Sequence, residues 1–121
     1  MAYEKLPSKA KEFISTNFPN LKVAYVKFDR DITDRDYEVY FEGGTSIEFS
    51  RKGEWRKIDC GRGVSVPLSI LPEGIIGFLA SDHAGVSVAE VDRDGREYEL
   101  TLANGTELTF DYYGRFKYYD D

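Results

Sequence analysis

The sequence predicts an α+β fold made of two tandem helix-plus-four-strand repeats, which form one antiparallel sheet with two helices on one face. Three observations predict it. Residues 6–57 return in order, although altered, as residues 71–117. In each copy, an apolar pattern with a period of three to four is followed by patterns with a period of two, typical of a helix and then strands. The turns between the strands are short, and short hairpins require antiparallel neighbours.

The repeat is visible at apolar positions and turn glycines. Leu6-Pro7 aligns with Leu71-Pro72 at an offset of 65 residues, and Tyr37-Glu38 aligns with Tyr98-Glu99 at an offset of 61. Unbroken matches of this kind indicate a duplicated fold unit. We therefore predict a first repeat at 6–59, a linker at 60–70 and a second repeat at 71–119. Units of this size bury little surface alone, so one compact domain with a shared core is expected.

An apolar stripe predicts the helix of each copy. Its members in the two copies are Leu6, Ala10, Phe13, Ile14 and Phe18, and then Leu71, Ile75, Phe78, Leu79 and His83. Pro7 and Pro72 fit a first helical turn, where a missing N–H costs nothing. Pro19-Asn20 and Gly85 fit the helix ends.

Alternating residues predict four strands after each helix. The predicted strands are 22–28, 36–41, 45–49 and 55–59 in the first copy, and 86–91, 97–103, 106–110 and 115–119 in the second. Asn104-Gly105 between two such strands is a strong hairpin signal. One face of these strands is apolar enough to pack beneath the helices, so the other face is open to solvent.

The open face predicted by this alternation is acidic and carries tyrosines. Tyrosine combines a large apolar ring with a polar end and is enriched where proteins bind one another. Ordinary strand or core packing also accounts for part of the aromatic tail at residues 112–119. The predicted binding residues are Tyr25, Tyr40, Glu38, Glu48, Glu99 and Tyr119.

Composition excludes several classes of partner. The net charge of -6 and a pI near 4.8 oppose binding to nucleic acid or to an anionic membrane surface. No apolar run is long enough to cross a bilayer, and residues 1–5 are too short for a signal peptide. The single cysteine, Cys60, excludes an intrachain disulfide and leaves the compartment open.

Three short motifs recur in the two copies. They are Leu-Pro at the head of each predicted helix, Gly44-Thr45 or Asn104-Gly105-Thr106 at a hairpin, and the endings Gly53-Glu54-Trp55 and Gly114-Arg115-Phe116. This pattern resembles the PepSY-like family of secreted or periplasmic bacterial proteins. The resemblance covers nearly the whole chain. It implies a fold similar to beta-lactamase-inhibitor protein, a periplasmic or secreted location, and protein or peptidase inhibition. It implies no catalytic residue.

An acidic turn is the candidate metal site. Asp29, Asp31, Asp34 and Asp36 lie within eight residues, and calcium prefers six to eight oxygen ligands from carboxylates and carbonyls. Arg30 and Arg35 lie among them and oppose a bound cation. A solvated charged turn and a calcium site both remain open, and no other cofactor is indicated.

Catalytic motifs are missing from the sequence. Cys60 and His83 are the only residues of their types, so a cysteine–histidine nucleophile pair would need both. There is no Gly-x-Ser-x-Gly elbow, phosphate loop or His-Glu-x-x-His motif. We therefore predict a noncatalytic periplasmic or secreted module that binds a protein or peptide, in the manner of an enzyme inhibitor. The alternative is a calcium-responsive structural or sensor protein.

Overall fold

The computed structural model describes residues 1–30 and 35–120, which divide into two compact units at 1–62 and 63–121. Each unit carries one copy of the repeat. The segment predicted as a linker, 60–70, contains a short 3-10 helix at Leu68–Ile70. Val66 within it is buried, and its N–H donates to the carbonyl of Val88. The boundary between the two units falls inside this segment, after Arg62, and its later part packs with the second unit.

The first unit has one α-helix followed by a four-stranded antiparallel meander. Its elements are a 3-10 helix at Tyr3–Lys5, α1 at Ser8–Asn17, β1 at Val23–Arg30, β2 at Arg35–Phe41, β3 at Ser46–Phe49 and β4 at Trp55–Asp59. Each strand pairs with the next one along the chain. A β-bulge in the β3–β4 pairing lets Glu48 face Lys57 while Phe49 faces Trp55.

The second unit repeats this order. Its elements are α2 at Glu73–Asp82, β5 at Val88–Arg93, β6 at Glu97–Leu102, β7 at Glu107–Asp111 and β8 at Phe116–Asp120. These strands are also paired antiparallel in chain order, and the β7–β8 pairing has a bulge next to Phe110. The predicted α+β class, with two copies of one helix and four antiparallel strands, is confirmed.

Both helices begin and end by the same means. Pro7 precedes α1 and Pro72 precedes α2, and each proline carbonyl accepts an N–H from the first helical turn. At the other end, the N–H of Phe18 donates to the Ile14 carbonyl at 2.8 Å, and the N–H of His83 donates to Leu79 at the same distance. Each helix is ten residues long.

An aromatic cluster joins each helix to its sheet. In the first unit, the Phe13 ring meets Phe49 edge to face at 5.8 Å and lies 6.3 Å from Trp55. In the second, Phe78 meets Phe110 edge to face at 5.4 Å and stacks on Phe116 at 4.4 Å. These contacts place each helix on one face of the four strands of its own unit and leave the opposite face of those strands uncovered by that helix.

A turn glycine supports the start of each helix. Gly53 and Gly114 both have φ of +88°, a conformation that L-residues with a side chain rarely adopt. A Cβ on Gly53 would lie 2.9 Å from the Pro7 Cβ, and one on Gly114 would lie 2.9 Å from the Pro72 Cβ. The hairpin turn therefore packs directly against the first helical turn in both units.

Candidate functional site

Strand alternation creates the open face of the first unit, defined here as the side of β1–β4 opposite α1. Val39, Phe41, Ile47 and Phe49 are buried on the helix side. Their neighbours along the strands point the other way. A hollow of about 240 Å³ lies on this face, lined by Glu38, Tyr40, Ser46, Ile47, Glu48, Lys57 and Asp59.

A stacked tyrosine pair forms one side of the open face. Tyr25 and Tyr40 are cross-strand partners on β1 and β2, and their rings stack with 4.6 Å between centroids and 17° between planes. The Lys27 ammonium lies 5.5 Å from the Tyr40 ring centroid and 5.9 Å from that of Tyr25. Tyr25 is 51% exposed, so a large aromatic surface stays accessible to a partner.

The Tyr40 hydroxyl is fixed by a carboxylate. It donates a short hydrogen bond to Glu38, two residues earlier on the same face of β2. This bond stabilises the neutral phenol, and together with burial and the charge of Glu38 it raises the pKa of Tyr40 to about 12. Tyr40 is therefore held in one orientation beside Tyr25.

Two like charges face each other in the lining of the hollow. Glu38 on β2 is the direct cross-strand partner of Glu48 on β3. Burial raises the pKa of Glu48, and hydrogen bonding and repulsion from Asp36 raise it further, whereas Arg56 opposes the shift. Arg56 Nη1 binds both oxygens of Asp36, at 3.0 and 3.1 Å. Glu38 and Glu48 therefore form a like-charged pair in the middle of one cross-strand row, with Lys27 and Lys57 at its two ends.

The equivalent face of the second unit has different chemistry. Thr109 is 1% exposed, and its hydroxyl donates to Asp120 at 2.8 Å. The Lys117 ammonium donates to Glu97 at 2.6 Å. Partial desolvation raises the pKa of Glu99, and the charges of Asp92 and Asp120 add to the shift. Glu99 lies on this open face, as predicted.

Tyr119 was placed on the open face by the sequence, and the structure contradicts that placement. It is the cross-strand partner of the buried Leu108, which points toward α2. Its ring lies 4.9 Å from Phe116, and its hydroxyl lies 2.9 Å from His83 Nε2. The bulge next to Phe110 moves the alternation along β8, so that Tyr118 faces Thr109 instead.

Part of the candidate calcium turn lies outside the described residues. Asp31 and Asp34 belong to that part. Asp29 and Asp36 are cross-strand partners at the ends of β1 and β2, and Asp36 is held by Arg56. Within residues 1–30 and 35–120, no group of three or more histidine, cysteine or acidic side chains is placed to hold a metal ion. Calcium binding at the turn stays a prediction.

Cys60 and His83 lie in different units. Burial raises the pKa of the Cys60 thiol to about 11, with a further contribution from Asp59. The thiol is therefore neutral near pH 7, and a neutral thiol is a poor nucleophile. His83 contacts Tyr119 at the end of α2.

Four residues of the first unit's site were not predicted: Lys27, Lys57, Arg56 and Asp59. Lys27 is the cross-strand partner of Glu38, so hairpin register applied to the predicted strands would have found it. Strict alternation from the buried Trp55 points Arg56 outward, so the same reasoning would have found Arg56. Lys57 faces Glu48 only because of the β3–β4 bulge, which strict alternation does not predict.

Comparison with known proteins gives a family match over most of the chain. The model of a PepSY-like, beta-lactamase-inhibitor-like family matches residues 1–39 and 35–118. A search of the curated proteins gave no match. None of the helices in the described part of the chain has the length and apolar character needed to cross a membrane.

Several solved structures are similar throughout their length. One is a candidate calcium-regulated periplasmic protein from Bacteroides thetaiotaomicron, with 34% identity, coverage of 100% of this chain and 94% of that one, and a TM-score of 0.93. Another is a candidate periplasmic protein of unknown function from Bacteroides vulgatus, with 37% identity, coverage of 99% and 95%, and a TM-score of 0.91. A second candidate periplasmic protein from Bacteroides vulgatus has 33% identity, coverage of 100% and 94%, and a TM-score of 0.93. These neighbours confirm the predicted periplasmic or secreted location.

Proposed function

Because the chain belongs to the PepSY-like, beta-lactamase-inhibitor-like family, as its motifs indicated, we propose that it is a noncatalytic periplasmic module that binds a protein or peptide. The binding surface is the open face of the first unit. The observation that carries this proposal is the stacked Tyr25–Tyr40 pair beside the hollow that contains Glu38 and Glu48.

The tyrosine pair supports binding to a macromolecule rather than catalysis. Stacking and the bond to Glu38 hold Tyr40 in place before a partner arrives, so little side-chain entropy is lost on binding. Tyrosines of this kind contribute a large share of interface energy. The neutral Cys60 thiol and the sequence's lack of a catalytic motif favour a noncatalytic role.

The partner class follows from the family. Its description as beta-lactamase-inhibitor-like favours an enzyme as the bound protein. In this proposal the chain acts as an inhibitor, with the open face covering part of the enzyme's surface.

Affinity capture from a periplasmic extract tests this function. Immobilised wild-type protein is compared with Tyr25→Ala/Tyr40→Ala and with the control Tyr112→Ala/Tyr113→Ala, which removes two exposed tyrosines from the β7–β8 turn. We expect specific proteins to be retained by the wild type and the control and lost from the first variant. Equal retention by all three would refute binding at this face.

Calcium binding at the turn between β1 and β2 is the second candidate function. Two observations favour it: a structural neighbour with 34% identity is named as a candidate calcium-regulated protein, and Asp29 and Asp36 face each other at the strand ends. A cation bound by these carboxylates would link the ends of the two strands.

Thermal melting tests the calcium hypothesis. Ligand binding to the folded state raises the melting temperature. We expect calcium to raise it relative to chelator, and Asp31→Asn/Asp34→Asn to abolish the rise. The control Asp92→Asn/Asp94→Asn changes the corresponding turn of the second unit and should retain the response. An unchanged melting temperature in the wild type would reject the calcium site.

A further inference from the structure

We propose that the hollow on the open face of the first unit receives an arginine side chain of the partner protein, with its guanidinium between Glu38 and Glu48. This inference rests on the proposed protein-binding function and specifies the chemistry of the partner.

The charges in the hollow favour a cation. Its lining includes the carboxylates of Glu38, Glu48 and Asp59 and the ammonium of Lys57, and Lys27 lies beside Glu38 as its cross-strand partner. Three carboxylates therefore face two ammonium groups, which leaves negative charge in excess. Like charges directly opposite each other in an antiparallel pair destabilise a sheet. Glu38 and Glu48 occupy such positions. A bound cation would remove this repulsion, and the free energy gained would contribute to binding.

The second unit shows that the fold does not require a carboxylate at the position of Glu48. In the repeat alignment, Thr109 takes the place of Glu48, and Thr101 takes that of Tyr40. Thr109 is fully buried and satisfied by Asp120. The same cross-strand position is thus filled by a neutral residue that packs and bonds internally. The fold therefore does not require a carboxylate at the position of Glu48, which favours a role for this carboxylate in binding.

The shape and the aromatic wall favour a guanidinium over an ammonium. A guanidinium is planar, presents its N–H groups in a fixed fork that matches carboxylates, and stacks on aromatic rings. Glu38 and Glu48 supply acceptors on neighbouring strands, and Tyr40 supplies a ring next to them. The volume of about 240 Å³ accommodates such a side-chain end.

The half-buried position of Glu48 adds to the expected gain. Burial and the nearby Asp36 raise the pKa of its carboxyl. A guanidinium beside it would favour the ionised form and lower that pKa. Binding should therefore weaken as the pH falls and Glu48 becomes protonated.

Nuclear magnetic resonance titration with short peptides tests the inference. The probe is acetyl-glycyl-arginyl-glycine amide, and its match is the same peptide with citrulline, which keeps the shape of arginine without the charge. We expect saturable amide shifts at Glu38, Tyr40, Ser46 and Glu48 with the arginine peptide and none with the citrulline peptide. Glu48→Gln should weaken binding about tenfold, the loss expected for one charged hydrogen-bonded contact. The control Glu99→Gln, at the second unit's counterpart of Glu38, should change affinity less than twofold.

Three outcomes would overturn the inference. Amide shifts of equal size in both units would indicate that the arginine peptide is attracted non-specifically by the protein's net charge of -6. Equal binding of the citrulline peptide would exclude a charge-based site. Equal binding of a lysine peptide would exclude selection of the guanidinium.

Affinity capture separates this inference from the proposed function. If Tyr25→Ala/Tyr40→Ala loses a partner that Glu48→Gln retains at full affinity, protein binding stands and the arginine hypothesis fails. If all variants behave as wild type in capture, binding at the open face fails, whatever the peptides do.

Discussion

The two units share their helix-to-sheet packing and differ on their open faces. Phe13 contacts Phe49 in the first unit as Phe78 contacts Phe110 in the second, in both cases edge to face. On the open faces, the Tyr25–Tyr40 stack has no aromatic counterpart, because the aligned residues are Glu90 and Thr101. The duplicated positions therefore maintain the fold, and the divergent positions are where a function specific to one unit can be sought.

Ion pairing on the open faces is part of the shared framework. Arg56 binds Asp36 in the first unit, and Lys117 binds Glu97 in the second, at aligned positions of the fourth and second strands. The turn before each fourth strand is also stabilised in the same way in both units. Ser50 Oγ in the first unit and Asp111 Oδ1 in the second each accept two backbone N–H groups. A feature found in both units is explained by the fold. The carboxylate pair of Glu38 and Glu48 occurs only in the first unit, so the shared fold does not explain it.

Truncation of the central aromatic residue should have the largest effect in both units. Phe49 and Phe110 are both fully buried, and Phe→Ala changes in cores cost about 3–5 kcal/mol. We expect Phe49→Ala and Phe110→Ala each to lower the free energy of unfolding by this amount, measured by urea denaturation. A difference of more than twofold between them would show that the two cores are not equivalent despite their matching contacts.

The turn glycines provide the next test of equivalence. Gly53→Ala and Gly114→Ala combine a strained positive φ with a Cβ only 2.9 Å from a proline Cβ, so we expect each to cost about 2–3 kcal/mol. Gly95→Ala is the matched control, because its φ is +93° and no atom lies within 4 Å of the added Cβ. It should cost about 1 kcal/mol from backbone strain alone. Equal losses at all three sites would mean that the helix starts shift to accommodate the new Cβ.

Sequence reasoning predicted the architecture because periodicity and turn glycines depend on local chemistry. The strand at 55–59 and the two helices were predicted to within a few residues. Where an irregularity decided the geometry, prediction failed. The bulge next to Phe110 placed Tyr119 on the helix side, and the bulge next to Glu48 brought Arg56 and Lys57 onto the same face. Strict alternation has no signal for an inserted residue, so side chains beyond a bulge were assigned to the wrong face or not assigned at all.

Removal of the Thr109 hydroxyl tests whether the neutral centre of the second unit's face is held by its hydrogen bond. Thr109→Val keeps the shape but deletes the bond to Asp120, so we expect a loss of about 1 kcal/mol. Thermal melts of this variant and of the control Thr101→Val provide the comparison. If both variants melted at the wild-type temperature, the bond to Asp120 would contribute nothing measurable.

The smallest expected effect is a pH-dependent change in the free energy of unfolding that distinguishes the open faces of the two units. Glu48 has a pKa above its ordinary value of 4.5, with burial as the largest cause, so the folded state binds its proton more tightly than the unfolded state does. Ionised Glu48 therefore lowers stability at pH 7, and this cost disappears as the pH falls below 4.5. Glu48→Gln should raise the free energy of unfolding at pH 7 by about 0.2–1 kcal/mol, the range for cross-strand charge pairs, and should give no gain at pH 4.

Urea denaturation at the two pH values measures this difference, with the exposed Glu107→Gln as a control that should leave the free energy of unfolding unchanged at both. A loss of stability in Glu48→Gln at pH 7 would mean that Lys57 and Arg56 already compensate the carboxylate pair, and that the free protein gains nothing by binding a cation. A gain at pH 7 that vanishes at pH 4 would instead show a face kept under repulsion in the free protein. That result would distinguish the open face of the first unit, which is suited to a charged partner, from that of the second unit, where Thr109 is already hydrogen-bonded to Asp120.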